Sequence, residues 1–175
     1  MELILSPNEW LDKQLPEFDR SVLDPAAIGP KMIDKMIEHS GLGLSANQVG
    51  VDGQIFVMKT MLNKKYGSPL VVMNPIIKGL SKEMENSVEG CLSHPGLFLR
   101  VRRPISCMVE FDTLANDMQT VIKVETKFDD IDARIFLHEY DHLHGIEFTD
   151  RVSKLKLQMA KKKRNKKLTK RKVNG

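Results

Sequence analysis

The run IFLHEYDHLHG, residues 135–145, is too apolar for a surface helix and too rich in ionisable groups for a plain core helix. Ile135, Phe136, Leu137, Tyr140 and Leu143 cover most directions around a helix, so a helix here is expected to be buried. Burying His138, Glu139, Asp141 and His142 in the same turns is costly unless each finds a partner. The chain must therefore fold other elements around this helix and bring polar partners to it. Asp129 or Asp130 is placed to cap its start, the helix then runs from about Ile131 to His144, and Gly145 stands at the position of a C′ glycine. Residues four apart share a helix face, so His138 and His142 can turn both imidazoles to one metal ion. Glu139, one step round, can reach a water there without being a ligand, which is the mechanical sense of H-E-x-x-H.

Around this helix the chain carries no internal repeat. Asp24-Pro25 reads as an N-cap followed by a first-turn proline. Ile28, Met32, Ile33, Met36 and Ile37 recur at helical spacing as far as Ser40-Gly41, with a break expected at Gly29-Pro30. QIFVMK (54–59) and PLVVMN (69–74) are strand-like apolar runs. Ile105, Cys107, Val109 and Phe111 alternate with polar or outward positions, as do the residues of TVIKVE (120–125), and Leu114-Ala115-Asn116-Asp117 between them predicts an antiparallel hairpin. The fold class expected is α+β: antiparallel β-sheets around a central buried helix carrying HExxH, plus a basic C-terminal helix from about Ser153.

Charge divides the chain at the same place. Residues 1–150 hold all 23 Asp and Glu against 15 Lys and Arg, a net of −8, whereas residues 151–175 hold 12 Lys and Arg and no acid. An acidic body, 1–150, thus carries a basic tail, 151–175, whose Val152 and Leu155 are spaced to pack on the body. No run reaches the length of a membrane span, and MELILSPNEW lacks the basic start of a signal peptide. With only two Cys, a reduced cytoplasmic protein is the expectation.

The third metal ligand decides the chemistry. A peptidase of the kind with a downstream Glu would need an acid near residues 160–167, which read AKKKRNKK, and the longer HExxHxxGxxH pattern fails at Phe148. Cys107 falls on the apolar side of an alternating strand and reads as core. Cys91 lies beside Gly90 in EGCLS, where the backbone can come close to an ion. Cys91 with His138 and His142 would make an open, catalytic type of site. His94 is a rival ligand. A Cys and two His suit zinc, iron(II), cobalt or nickel. The Gly41 and Gly43 of GLGLSANQ read as an edge strand to which a peptide can add, with Gly43 the contact and Gly90 on the other side.

Three segments, GLGLSANQVG (41–50), EGCLS (89–93) and HEYDHLHG (138–145), resemble in order and spacing the three signature motifs of bacterial-type peptide deformylases. SPNEWL and GIEFTDRVSKLK are similar too. The resemblance implies a hydrolase that removes the formyl group from the N-terminal formylmethionine of new polypeptides. It implies Cys91, His138 and His142 as ligands of one divalent ion, iron(II) physiologically, with zinc a less active substitute. It further implies Glu139 as the proton-transferring group, and the Leu92 N–H and Gln48 side chain as donors to the developing oxyanion. Leu42, Ile135 and the His138 ring would line the methionine pocket, with Gly43 and Gly90 holding the peptide backbone. The basic tail, through Lys161, Lys162, Lys163, Arg164, Lys166 and Lys167, would dock on the ribosome, and the protein would be a monomer. Ser45, Leu137 and Phe98 depart from the usual pattern, Phe98 standing where many relatives carry an Arg near the substrate. The alternatives are a zinc metallopeptidase, and a nucleic-acid-binding protein whose structural metal takes a fourth ligand from His94 or His144.

Overall fold

IFVM, residues 55–58, is apolar at every position because both faces of its strand are covered. The computed structural model describes residues 1–61 and 69–173. In it β2 (Ile55–Met58) is wholly buried and touches both α1 (Pro25–Glu38) and α2 (Asp130–Leu143). A strand covered on both faces has no polar alternation to show. The main sheet has five antiparallel strands, in the order β1 (Gly43–Ser45), β2, β3 (Leu70–Leu80), β6 (Ser106–Leu114) and β7 (Val121–Asp129). A second sheet pairs β4 (Met84–Gly90) with β5 (Phe98–Pro104). The chain is thus α+β with antiparallel sheets, and it ends in α3 (Lys154–Val173).

α1 begins as expected, with the Asp24 carboxylate accepting from the Ala26 N–H at 2.9 Å. It does not break at Gly29-Pro30, because Pro30 sits inside a continuous helix. A single proline removes one ladder bond. Burial of Met32 and Met36, and the close seat of Gly29 against Val71, hold the helix across it. The β6–β7 hairpin forms and is antiparallel as expected, with Cys107, Val109 and Phe111 buried. Its turn is set by Asp117, whose carboxylate accepts from the Gln119 and Thr120 N–H groups and the Thr120 hydroxyl.

α2 starts at Asp130 and ends at Leu143, with Asp129 at the N-cap but making no side-chain bond there. Phe136, fully buried, packs edge-on to Phe56 and beside Phe128, and so locks the helix to the sheet. α3 docks through Leu157 and Ala160, together with Val152 just before it, onto Leu97, Leu99, Val101 and Phe148. The expected anchor Leu155 is instead 67% exposed. It lies two residues before Leu157, about 200° round the helix, so the two cannot share a face.

Candidate active site

The loop after β4 and one face of α2 meet over the gap between the two sheets. One ligating atom from each of Cys91, His138 and His142 lies within 4.8 Å of the others. Cys91 Sγ stands 3.3 Å from His142 Nε2. The His138 Nδ1–H donates to Glu89 Oε2 at 3.0 Å, which leaves Nε2 for the cluster. A ligating imidazole held through its other nitrogen by a carboxylate has its ring and tautomer set in advance.

Glu89 anchors more than His138. It accepts from Arg103 Nε at 2.7 Å, Arg103 Nη2 at 3.0 Å and Arg134 Nη1 at 2.7 Å. Arg103 Nη1 also donates to Asp141 at 2.8 Å and to the Leu137 carbonyl at 3.3 Å. Arg151 Nε donates to Asp141 from the far side at 3.0 Å. Burial raises the Glu89 pKa, but hydrogen bonds from His138 and Arg103 outweigh it and hold the carboxyl at about 2. These buried charges are tolerable because each is paired and hydrogen-bonded. Glu89, Arg103, Arg134 and Asp141 are not among the site residues expected from the sequence. Their only sequence signal is charge inside strand and helix patterns, and no spacing rule pairs them.

Three buried features fit a metal ion. His142 is fully enclosed, and burial pushes its pKa well below the usual range, so it is a neutral imidazole able to ligate. Burial also lowers the His138 pKa, but hydrogen bonds to Cys91 and Glu89 win and push it up to about 10, so this pocket attracts positive charge strongly. Glu139 Oε2 and His142 Nδ1 are buried with no protein hydrogen-bond partner. The donor set, one sulfur and two imidazoles, suits a transition metal.

Glu139 is pushed up to about 7, chiefly by burial. It faces β1 at Gly43, where a Cβ would fall 2.3 Å from Glu139 Oε1, so a side chain at residue 43 would displace the Glu139 carboxylate. Gln48 is buried and its amide orientation is set, since Oε1 accepts from the Ser45 N–H at 2.8 Å. Its Nε2 donates to Cys91 Sγ at 3.3 Å and Ser93 Oγ at 3.0 Å. Asn47 ties this turn to α2 by donating to the His142 carbonyl at 2.6 Å.

Leu42, Gly43, Gln48, Gly90, Cys91, Leu92, Ile135, His138 and Glu139 all border one cleft of about 870 Å³, and His142 lies behind it. Phe98 forms part of its rim, 64% exposed. His94 borders the cleft but pairs with Glu147 at 2.5 Å, and His144 Nδ1 donates to the Tyr140 carbonyl at 2.8 Å. Neither joins the Cys91–His138–His142 group among the described residues. Cys107 is core, its thiol pushed up to about 12 by burial and by Asp129. On α3, Lys161, Lys162, Lys163 and Lys166 are exposed and Arg164 is half-buried beside Gly96, while the Lys167 side chain lies outside the described residues.

Comparison with known proteins places this chain among similar ones. The family model for polypeptide deformylase matches residues 2–158. A peptide deformylase of Thermosynechococcus vestitus is 39% identical over 80% of this chain and 70% of its own length. The chloroplastic peptide deformylase 1B of Oryza sativa is 37% identical over 81% of this chain, which spans only 50% of that relative. A crystal structure of a Synechococcus elongatus peptide deformylase in complex with actinonin superposes with a TM-score of 0.77 at 30% identity, covering 94% of this chain and 85% of that one.

Proposed function

The chain belongs to the polypeptide deformylase family, whose members are metal-dependent hydrolases that remove N-formyl groups, and from that membership we propose the residue roles, substrate and partners that follow. The substrate is the N-terminal formylmethionine of newly made polypeptides. Residues 1–150 are the catalytic body and 151–175 a basic appendage. The observation that carries the reading is the meeting of Cys91, His138 and His142 within 4.8 Å, at a cleft that Cys91, His138 and Glu139 border.

Cys91, His138 and His142 hold one divalent ion, iron(II) in the cell, with zinc, nickel or cobalt able to replace it. When bound, such an ion supplies Lewis acidity, which makes water a competent nucleophile near neutral pH and polarises a carbonyl. The Glu139 carboxylate accepts the proton of the attacking water and delivers it to the leaving amine. Gln48 Nε2–H and the Leu92 N–H donate to the formyl oxygen as its charge grows, and a donor of this kind is typically worth about 2.7–4 kcal/mol. Pinning of Oε1 by Ser45 supports the Gln48 role, because the NH2 group then has no choice of direction. The peptide backbone adds to the free edge of β1 at Gly43, with Gly90 on the opposite wall. Leu42, Ile135 and the His138 ring take the methionine side chain.

The exposed lysines of α3, with Arg164, contact phosphates of the ribosome, where release of counterions drives binding. No helix among the described residues is long and apolar enough to cross a membrane. The reading is of a cytoplasmic monomer acting at the ribosome.

The test is metal analysis of the purified protein with turnover of formyl-Met-Ala-Ser. Formate should appear in step with a new N-terminal methionine amine. Cleavage of a peptide bond without formate would make the protein a metallopeptidase instead. A bound metal with no turnover of any kind would favour a structural site.

A further inference from the structure

One face of the two-stranded sheet enters the mechanism above only at its cleft end, through Gly90. Phe98, Arg100 and Arg102 project from it on β5, in register with Gly90, Val88 and Asn86 on β4. The alternate residues Leu99 and Val101 are buried on the other face, where they meet α3. The outer face begins at the cleft, since Val88, Gly90 and Phe98 line its wall. Val88 is 52% and Phe98 64% exposed, which makes an apolar step at the mouth. Beyond that step stand Arg100 and Arg102, both exposed, and neither makes an ion pair among the described residues. Their neighbour Arg103, facing inward, is fully paired with Glu89 and Asp141. Among the described residues β4 pairs only with β5 and so keeps a free edge beside the cleft.

We propose that this outer face of the β4–β5 hairpin is a downstream subsite that holds the substrate beyond formylmethionine and selects acidic side chains there. The proposal rests on the deformylase reading and adds to it a preference in the peptide. An extended chain added to the β4 edge would lie about 5 Å from β4 and about 10 Å from β5. An Arg and a Glu side chain together span that distance. Residues two apart on a strand are about 6.6 Å apart on one face, so acids two apart in the peptide meet Arg100 and Arg102 in turn. The basic α3 lies across the hairpin, against the buried face, so these two arginines do not extend the surface it offers to a polyanion. They are continuous with the cleft instead, which favours the peptide as occupant.

Exposed ion pairs are weak, so each should contribute about 1.5- to 5-fold, and salt should screen them. The experiment compares kcat/KM for formyl-Met-Ala-Glu-Ala-Glu and formyl-Met-Ala-Lys-Ala-Lys at low and high ionic strength. The unaltered protein should prefer the acidic peptide by about 3- to 20-fold at low salt, falling toward equality at high salt. The doubly substituted Arg100→Glu, Arg102→Glu protein should prefer the basic peptide. Each ratio is internal to one protein, so a general loss of activity does not imitate the result. Formate released equally from both peptides at low salt would overturn this proposal alone. So would a preference that persists unchanged in the double variant, or a variant whose only loss is affinity for ribosomal RNA. Absence of formate from both peptides would sink the deformylase reading together with this one.

Discussion

Glu139 packs so closely on Gly43 that a side chain at residue 43 would displace its carboxylate. That close approach sets Glu139 at the cleft wall next to His138 but outside the Cys91–His138–His142 group. Glu139→Gln keeps the shape and removes the proposed base. It should retain metal and lower kcat/KM by about 10²- to 10⁴-fold. Metal content and formate release, measured on one preparation, check both halves; a collapse of metal content would move Glu139 among the ligands. The two cysteines give a second contrast at this scale. Cys107 is sealed in β6 with its thiol pushed up to about 12, so little thiolate forms at neutral pH. Cys107→Ala should cost about 1 kcal/mol of stability and leave metal binding intact. Cys91→Ala should lose tightly bound metal. Denaturant melts and metal analysis of the two variants decide it, and the reverse pattern would exchange their roles.

At the scale of elements, the parts that repeat locally are readable from the chain alone. α1, β2, the β6–β7 hairpin and the helix α2 that carries His138 and His142 follow from apolar spacing and turn residues. β4 and β5 do not emerge in this way although FLRVRR alternates cleanly, because its inward positions combine apolar residues with the buried Arg103. The docking face of α3 differs from the expected one by two residues, because Leu155 and Leu157 are equally apolar and only the body to which α3 docks distinguishes them. A cut after Met159 keeps Val152 and Leu157 and removes the nine Lys and Arg between 161 and 172. The body should stay folded and should still turn over a short formyl-Met peptide. Ribosome affinity should fall, and the slope of log K against log salt should flatten by about 0.7–0.9 for each phosphate that the shortened protein no longer neutralises. Co-sedimentation with ribosomes at several salt concentrations checks this; equal slopes for the two proteins would make the tail a solvated appendage.

At the scale of the molecule, the cleft joins the two sheets through α2, and the Glu89–Arg103–Asp141 network clamps the same parts without a metal. Chelation should therefore leave the fold standing while lowering Tm, because a ligand that binds only the folded state stabilises it, by about 4 kcal/mol at a thousandfold excess over Kd. Calorimetry with and without chelator, followed by readdition of metal, measures the difference; an apo protein with no thermal transition would show that the metal is needed for folding. By itself the sequence determined the i, i+4 histidines, the acid between them, the glycine beside Cys91 and the split of charge at residue 150. These are relations between near neighbours, set by backbone geometry that every helix and strand shares. Only the tertiary structure decided that Glu89 grips His138 across 49 residues, that Arg103 is enclosed while Arg100 and Arg102 are free of ion pairs among the described residues, and that Leu157 docks in place of Leu155. Those outcomes depend on which face of each strand meets which helix, and that is settled by long-range packing of apolar surface rather than by any spacing along the chain.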